Sequence, residues 1–176
     1  HSHCKGSGFK SLCAHKKILT CQATTHRVWV YELRSNGNKA MKLLMFHVSE
    51  FWYKTYSKTL ESIDTQEKEE KTGEGIVVFM HVELEDEGRK SKLKGKAVDN
   101  IRWLLKKTNT NNVVLHSFTH LSESKSSAEF AQKLIEGLKS SLKERGIITH
   151  MTPYGYFLEF KIHVLGESLA KVFKSF

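Results

Sequence analysis

Two histidines and a group of aromatics are the residues of this chain best suited to chemistry. His116, Phe118 and His120 stand two apart in a short apolar run, so strand alternation puts all three on one face. Four steps of ~3.3 Å separate the imidazoles by about 13 Å. That is too far to share a zinc ion, whose bonds to nitrogen are about 2 Å. His120 ends the run just before a turn, a common place for functional groups, although a single histidine there more often makes a structural hydrogen bond. Further on, Tyr154, Tyr156 and Phe157 surround Gly155. Glycine lets a backbone approach a ligand closely, and aromatics beside it suit stacking on a planar ring. The same residues also read as core aromatics of an edge strand, where Tyr156 and Phe157 alternate and one of them must face the core.

Other machinery is not legible. The chain has no G-x-S-x-G elbow, no phosphate-binding glycine loop and no H-E-x-x-H. Cys4, Cys13 and Cys21 all fall within residues 1–40, and their spacing matches neither a paired C-x-x-C zinc site nor a closed disulfide set. Together with His1, His3, His15 and His26 they lack the close ligand pairs of a zinc site and read as free thiols in a reducing cytoplasm. No metal and no cofactor are expected.

The elements that position these residues centre on 113–161. A strand over 113–122 leads through a turn to a helix and then to a strand over 153–161. Ser126 and Glu129 have capping-box spacing, Ala131, Leu134, Ile135, Leu138 and Leu142 form one apolar stripe, and Gly146 suits the left-handed residue past the end. Upstream, the patterns predict strands over 42–48 and 51–56, a charged loop over 58–71 and a buried strand over 75–84. A second charged loop over 83–92 precedes a helix over 93–107 with Ala97, Ile101, Leu104 and Leu105 buried. A short helix over 167–173 closes the chain. This order is mixed α/β, a β-sheet covered by two main helices.

Residues 1–40 read differently. Residues 1–16 lack periodicity and are expected to be a tail that adds little stability, while 18–20 and 27–33 have strand character. A basic N-terminal extension, partly disordered or a short strand pair, therefore precedes one domain over 41–176. The 176 residues carry a formal charge of +9, which suggests a polyanionic partner. Residues 1–40 hold seven Lys/Arg and one acid, whereas 41–176 hold 21 against 18, so the domain itself is only modestly basic. No run approaches the ~18 apolar residues of a membrane span.

The run F-T-H-L-S at 118–122, a capped helix ending K-E-R-G at 143–146, P-Y-G-Y-F-x-x-F-K-I at 153–162 and the opening M-K-L-L-M-F-H at 41–47 share an order and spacing. Together they resemble the amino-terminal editing domain of archaeal threonyl-tRNA synthetases. The resemblance implies a D-aminoacyl-tRNA deacylase-like fold, usually a homodimer, acting in the cytoplasm. It also implies hydrolysis of serine from mischarged tRNA(Thr), with the tRNA 3′ end (seryl-adenosine) bound by a pocket of His47, Val82, Phe118, Thr119, Tyr154, Gly155, Tyr156 and Phe157, and with His120 taking part. Two family positions differ. The family lysine that assists hydrolysis is here Leu158, and the family glutamate is here Lys171. Glu167 stands one turn before Lys171 on the expected terminal helix and is, with His120, a candidate catalytic residue. Glu159 and Lys161 point away from the face of Leu158. These departures leave an alternative, a catalytically depleted member that binds the aminoacylated 3′ end or another adenosine ligand.

Overall fold

The structure, a computed structural model, describes residues 41–61 and 63–176. The tail, the two strand segments and the cysteine–histidine set expected within 1–40 lie outside the described residues.

One strand organises the domain. β1 (Lys42–Lys58) runs for 17 residues where two short strands were expected. Its apolar phase slips at Val48–Glu50, where the pairing with β6 also shifts register. A β-bulge, not a turn, causes that slip, since an extra residue flips which positions face inward without breaking the strand. One edge of β1 pairs with β2 (Glu69–Thr72) and then β3 (Gly75–His81). The other pairs with β6 (Tyr156–Val164) and then β7 (Lys171–Ser175). Beyond β3, β4 (Asn112–Ser117) and β5 (Ile148–Met151) add in parallel, as right-handed crossover units allow.

The two predicted helices form and their stripes are buried. α1 (Lys90–Thr108) buries Ala97, Ile101, Leu104 and Leu105, with Leu93 and Val98. α2 (Ala128–Lys143) buries Ala131, Leu134, Ile135, Leu138 and Leu142. Its N-cap is Ser127, which accepts from Phe130 N–H, and not Ser126; Glu129 instead pairs with Lys133. Gly146 takes φ +76° after the helix, as expected. Both stripes pack on the Leu43, Met45, Ile76, Val78, Met80 and Leu115 side of the sheet. β3 is buried along its whole length.

The opposite face holds a second core of Val48, Phe51, Tyr53, Val77, Phe79 and Val114. The sheet curls to enclose it. Phe160 of β6 reaches Phe79 of β3 at 5.7 Å and His116 of β4 at 6.1 Å between ring centroids. His150 of β5 shares a 3.2 Å hydrogen bond with Glu70 of β2. The β1–β6 ladder runs on past Lys58 into the β5–β6 turn, where Thr59 N–H donates to the Gly155 carbonyl at 2.8 Å.

Three further expectations are corrected. Residues 69–72 are strand, not loop: the charged side chains find partners, with Trp52 Nε1 donating to Glu69 and the Tyr53 hydroxyl to Glu70. The run from 113 ends at Ser117, because β3 stops at His81 and leaves the following backbone without a strand to pair with. The terminal helix is β7: Lys171–Ser175 alternates and covers the edge of Lys42–Phe46, which would otherwise expose its backbone groups. The expected mixed sheet with two covering helices stands.

Candidate functional site

Open α/β sheets bind ligands beyond the carboxyl ends of their parallel strands. Here those are the ends of β3, β4 and β5, and Val82, Phe118, Thr119 and His120 follow directly on β3 and β4. Phe118 N–H donates to the Met80 carbonyl at 2.8 Å, one last rung after β4. The chain then leaves the sheet, placing Thr119 and His120 in an exposed turn. The His120 ring meets Phe118 edge-on at 5.1 Å, and Phe118 in turn meets Phe79 at 5.1 Å and His116 at 6.0 Å. The expected line of His116, Phe118 and His120 therefore persists past the strand end.

His116 is no free base. It is buried, shares a 2.9 Å hydrogen bond with Thr152 Oγ1, and burial lowers its pKa to about 4. It is a neutral core histidine at neutral pH.

The loop that carries His120 is held by His81, a residue that no sequence motif marks. His81 is fully buried. Its Nδ1 accepts from Leu121 N–H at 3.3 Å, which puts the ring proton on Nε2, donated to the Ser124 carbonyl at 2.7 Å. Burial, before any other cause, lowers its pKa and favours this neutral form. Around it, Ser126 N–H donates to the Val82 carbonyl, Leu84 N–H to Ser124 Oγ, and Ser127 N–H to Glu87. The signal for His81 was present in sequence: a polar group ending an otherwise apolar strand, Ile76 to Met80.

The aromatic side of the predicted pocket is anchored as well. The Tyr154 hydroxyl donates to the Ala128 carbonyl at 2.8 Å, and burial pushes its pKa up. Gly155 has φ +74°, and a Cβ built there would lie 2.8 Å from Ile63 Cδ1 and 3.1 Å from Leu60 Cδ1. Its close approach is thus to the chain's own loop over 59–68. The Tyr156 hydroxyl fastens the same loop, donating to the Asp64 carbonyl at 2.7 Å and accepting from Gln66 N–H at 2.9 Å. Neither Tyr156 nor Phe157 is buried, contrary to the expectation that one faces the core, because Tyr156 turns to the loop and Phe157 is 58% exposed. Leu158, like Phe118, packs against the second core. Lys161 lies over the Trp52 ring at 5.1 Å, away from Leu158, as alternation requires.

His47 and Glu167 form a separate group. His47 pairs with Ile76 while Lys42 pairs with His81, so His47 sits five strand steps, roughly 17 Å, from the end that carries the His120 loop. It is 3% exposed, with Nδ1 3.2 Å from Glu167 and Nε2 3.2 Å from Glu74. Its backbone closes the break between β6 and β7, donating to the Ala170 carbonyl and accepting from Leu165 N–H. Glu167 lies in the turn before β7 and reaches His47, so the helical i,i+4 relation to Lys171 does not exist. Lys171 is exposed and pairs with Phe46. Among the described residues no group of three His, Cys, Asp or Glu is placed to hold a metal ion. None of their helices is long and apolar enough to cross a membrane.

A threonine–tRNA ligase of Methanosphaera stadtmanae is 33% identical over 134 residues, and that of Methanocaldococcus jannaschii 32% over 132. Each alignment covers 75% of this chain but only 22% and 21%, respectively, of the relative, so the chain spans about a fifth of their length. A solved structure described as c-Myc DNA Unwinding Element Binding Protein superposes with TM-score 0.52 over 76% of this chain and 97% of its own, at 12% identity, a likeness of fold alone. The model of the archaea-specific editing domain of threonyl-tRNA synthetase matches residues 41–176, and the chain belongs to that family.

Proposed function

We propose that residues 41–176 are an editing unit that binds the aminoacylated 3′ end of tRNA and hydrolyses serine from mischarged tRNA(Thr). The match of this whole segment to the editing-domain family carries the reading. A synthetase pocket selecting threonine gains little against serine, since one missing methyl is worth only ~1–3 kcal/mol. A second site that admits serine and excludes the extra methyl supplies the rest. The surface offered to the seryl-adenosine is the end of β3 and β4: Phe118 for stacking, and Thr119 and His120 exposed beside it. His120 orients the attacking water or the ester there, while His116, buried and neutral, does not titrate into the reaction. The ester bond to the ribose oxygen breaks as water oxygen bonds to the carbonyl carbon, releasing serine and the free 3′ end. No metal or cofactor takes part, the acting species is a homodimer, and a tRNA substrate sets it in the cytoplasm.

Leu158 and Lys171 favour a second reading, a member that keeps the binding surface without the chemistry. Leu158 packs an apolar side chain against the second core where a lysine would bring charge. Single-turnover deacylation separates the readings. Loss of the seryl ester well above the buffer rate supports the hydrolase. An intact ester together with measurable binding of a non-hydrolysable seryl-adenosine analogue leaves the second reading.

A further inference from the structure

The charge of the domain is segregated onto one element. α1 carries seven of the 21 Lys/Arg of residues 41–176 and one of their 18 acids, so the remainder is net acidic. Its apolar stripe faces the sheet, which turns Lys92, Lys96, Arg102, Lys106 and Lys107 outward. None of these makes an ion pair with an acid among the described residues. Unpaired cations held along a rigid helix repel one another, a cost that an anionic partner removes.

The second half of α1 also borders a groove of about 450 Å³, lined by Arg102, Trp103, Lys106, Asn111 and Arg145, with Asp99 its one acid. Trp103 is 39% exposed, and the Lys174 ammonium lies over its ring at 5.3 Å. Cations interleaved with an open indole are what a polynucleotide groove offers: charge for phosphates and a ring for stacking. A membrane surface fits less well, because a helix that lies in lipid turns its apolar face outward and α1 buries that face.

The position matters too. The 3-10 turn Leu84–Asp86 and residue Glu87, just before α1, hydrogen-bond to Ser124 and Ser127 of the loop that carries His120. α1 therefore starts beside the strand-end site and runs about 28 Å away from it.

We propose that the outer face of α1 and the groove at Trp103 form a second RNA contact, a phosphate track for the tRNA body next to the 3′ end. This rests on the tRNA reading above but concerns a different surface and does not depend on hydrolysis. The test uses the full 176-residue chain and unacylated tRNA(Thr), with fluorescence anisotropy between 50 and 200 mM salt. The triple variant Lys92→Gln, Arg102→Gln, Lys106→Gln, with melting checked against the parent, is expected to bind at least ~10-fold more weakly. Its slope of log affinity against log salt should flatten by about 2–3, as expected for three lost phosphate contacts. Trp103→Ala should weaken binding, and Trp103→Phe should restore part of it. Hydrolysis of a short seryl-adenosine substrate should not change in the triple variant, so failure of the track and failure of the editing reading are separately visible. Affinity within twofold of the parent, weaker binding with an unchanged salt slope, or vesicles of phosphatidylserine bound as tightly as tRNA would each overturn the proposal.

Discussion

Replacing His81 with leucine should cost about 2–4 kcal/mol and loosen the loop that carries His120. The two side chains are close in volume, so little cavity is made and the loss is mainly polar. His81 donates to the Ser124 carbonyl at 2.7 Å and accepts from Leu121 N–H at 3.3 Å. Each net hydrogen bond is worth about 1 kcal/mol, and a partner left unpaired at a buried site adds about 1 kcal/mol or more. The sum is capped because Leu121 and Ser124 are only half-buried and water reaches part of the gap. A pH dependence follows from the same geometry. Burial lowers the His81 pKa below its unfolded value of 6.5, so its contribution is full above that value and is lost as pH falls toward the folded pKa. Urea unfolding of both proteins at pH 7.5 and pH 5.5 measures the difference. A cost below ~0.5 kcal/mol at pH 7.5, or a gap that widens on acidification, would refute the reasoning.

Three other substitutions probe neighbouring claims. Gly155→Ala should destabilise by about 1–3 kcal/mol, since φ is +74° and the new methyl would crowd Ile63 and Leu60; thermal melting reads it, and an unchanged midpoint contradicts it. Leu158→Lys should raise the deacylation rate by placing a cation beside the developing oxyanion, while lowering stability by about 1–2 kcal/mol for lost packing at the second core. A lower rate with the fold intact would show that this branch places its charge elsewhere. His116→Gln tests the buried histidine. With a folded pKa of about 4 against 6.5 unfolded, neutral His116 stabilises at pH 7 and loses on the order of 3 kcal/mol by pH 4. Asp86, raised to about 6 chiefly by burial, acts in the opposite sense over pH 6 to 4, so the comparison must be parent minus variant. That difference should shrink on acidification, and a constant difference sinks the assignment.

What could be read from sequence follows from how local each signal is. α1, α2 and β3 carry long, strong periodicities, and their buried positions follow from them directly. β1 looked like two strands because a bulge at Val48–Glu50 shifts the alternation as a break would. β2 was hidden because Glu69, Glu70 and Lys71 read as solvated charge, and only Trp52 and Tyr53 across the ladder give the carboxylates partners. β7 was ambiguous because seven residues with Leu169, Val172 and Phe173 satisfy either period, and the unpaired edge of β1 decided it. The place of Phe118, Thr119 and His120 at a strand end is legible in sequence, but His81 shows only as a polar residue in an apolar run. Its two hydrogen bonds are made to Leu121 and Ser124, at least 40 residues away. The split between the His120 group and the His47–Glu167 group required the register of β1 on β3, which no motif encodes.

The central claim is that this domain removes serine in preference to threonine. The most direct measurement is the ratio of single-turnover deacylation rates for seryl- and threonyl-tRNA(Thr) with the full chain in excess. One methyl excluded from a fitted pocket is worth ~1–3 kcal/mol, which predicts a serine preference of about 10- to 200-fold. Equal rates for the two esters, or neither exceeding the rate in buffer, would contradict it.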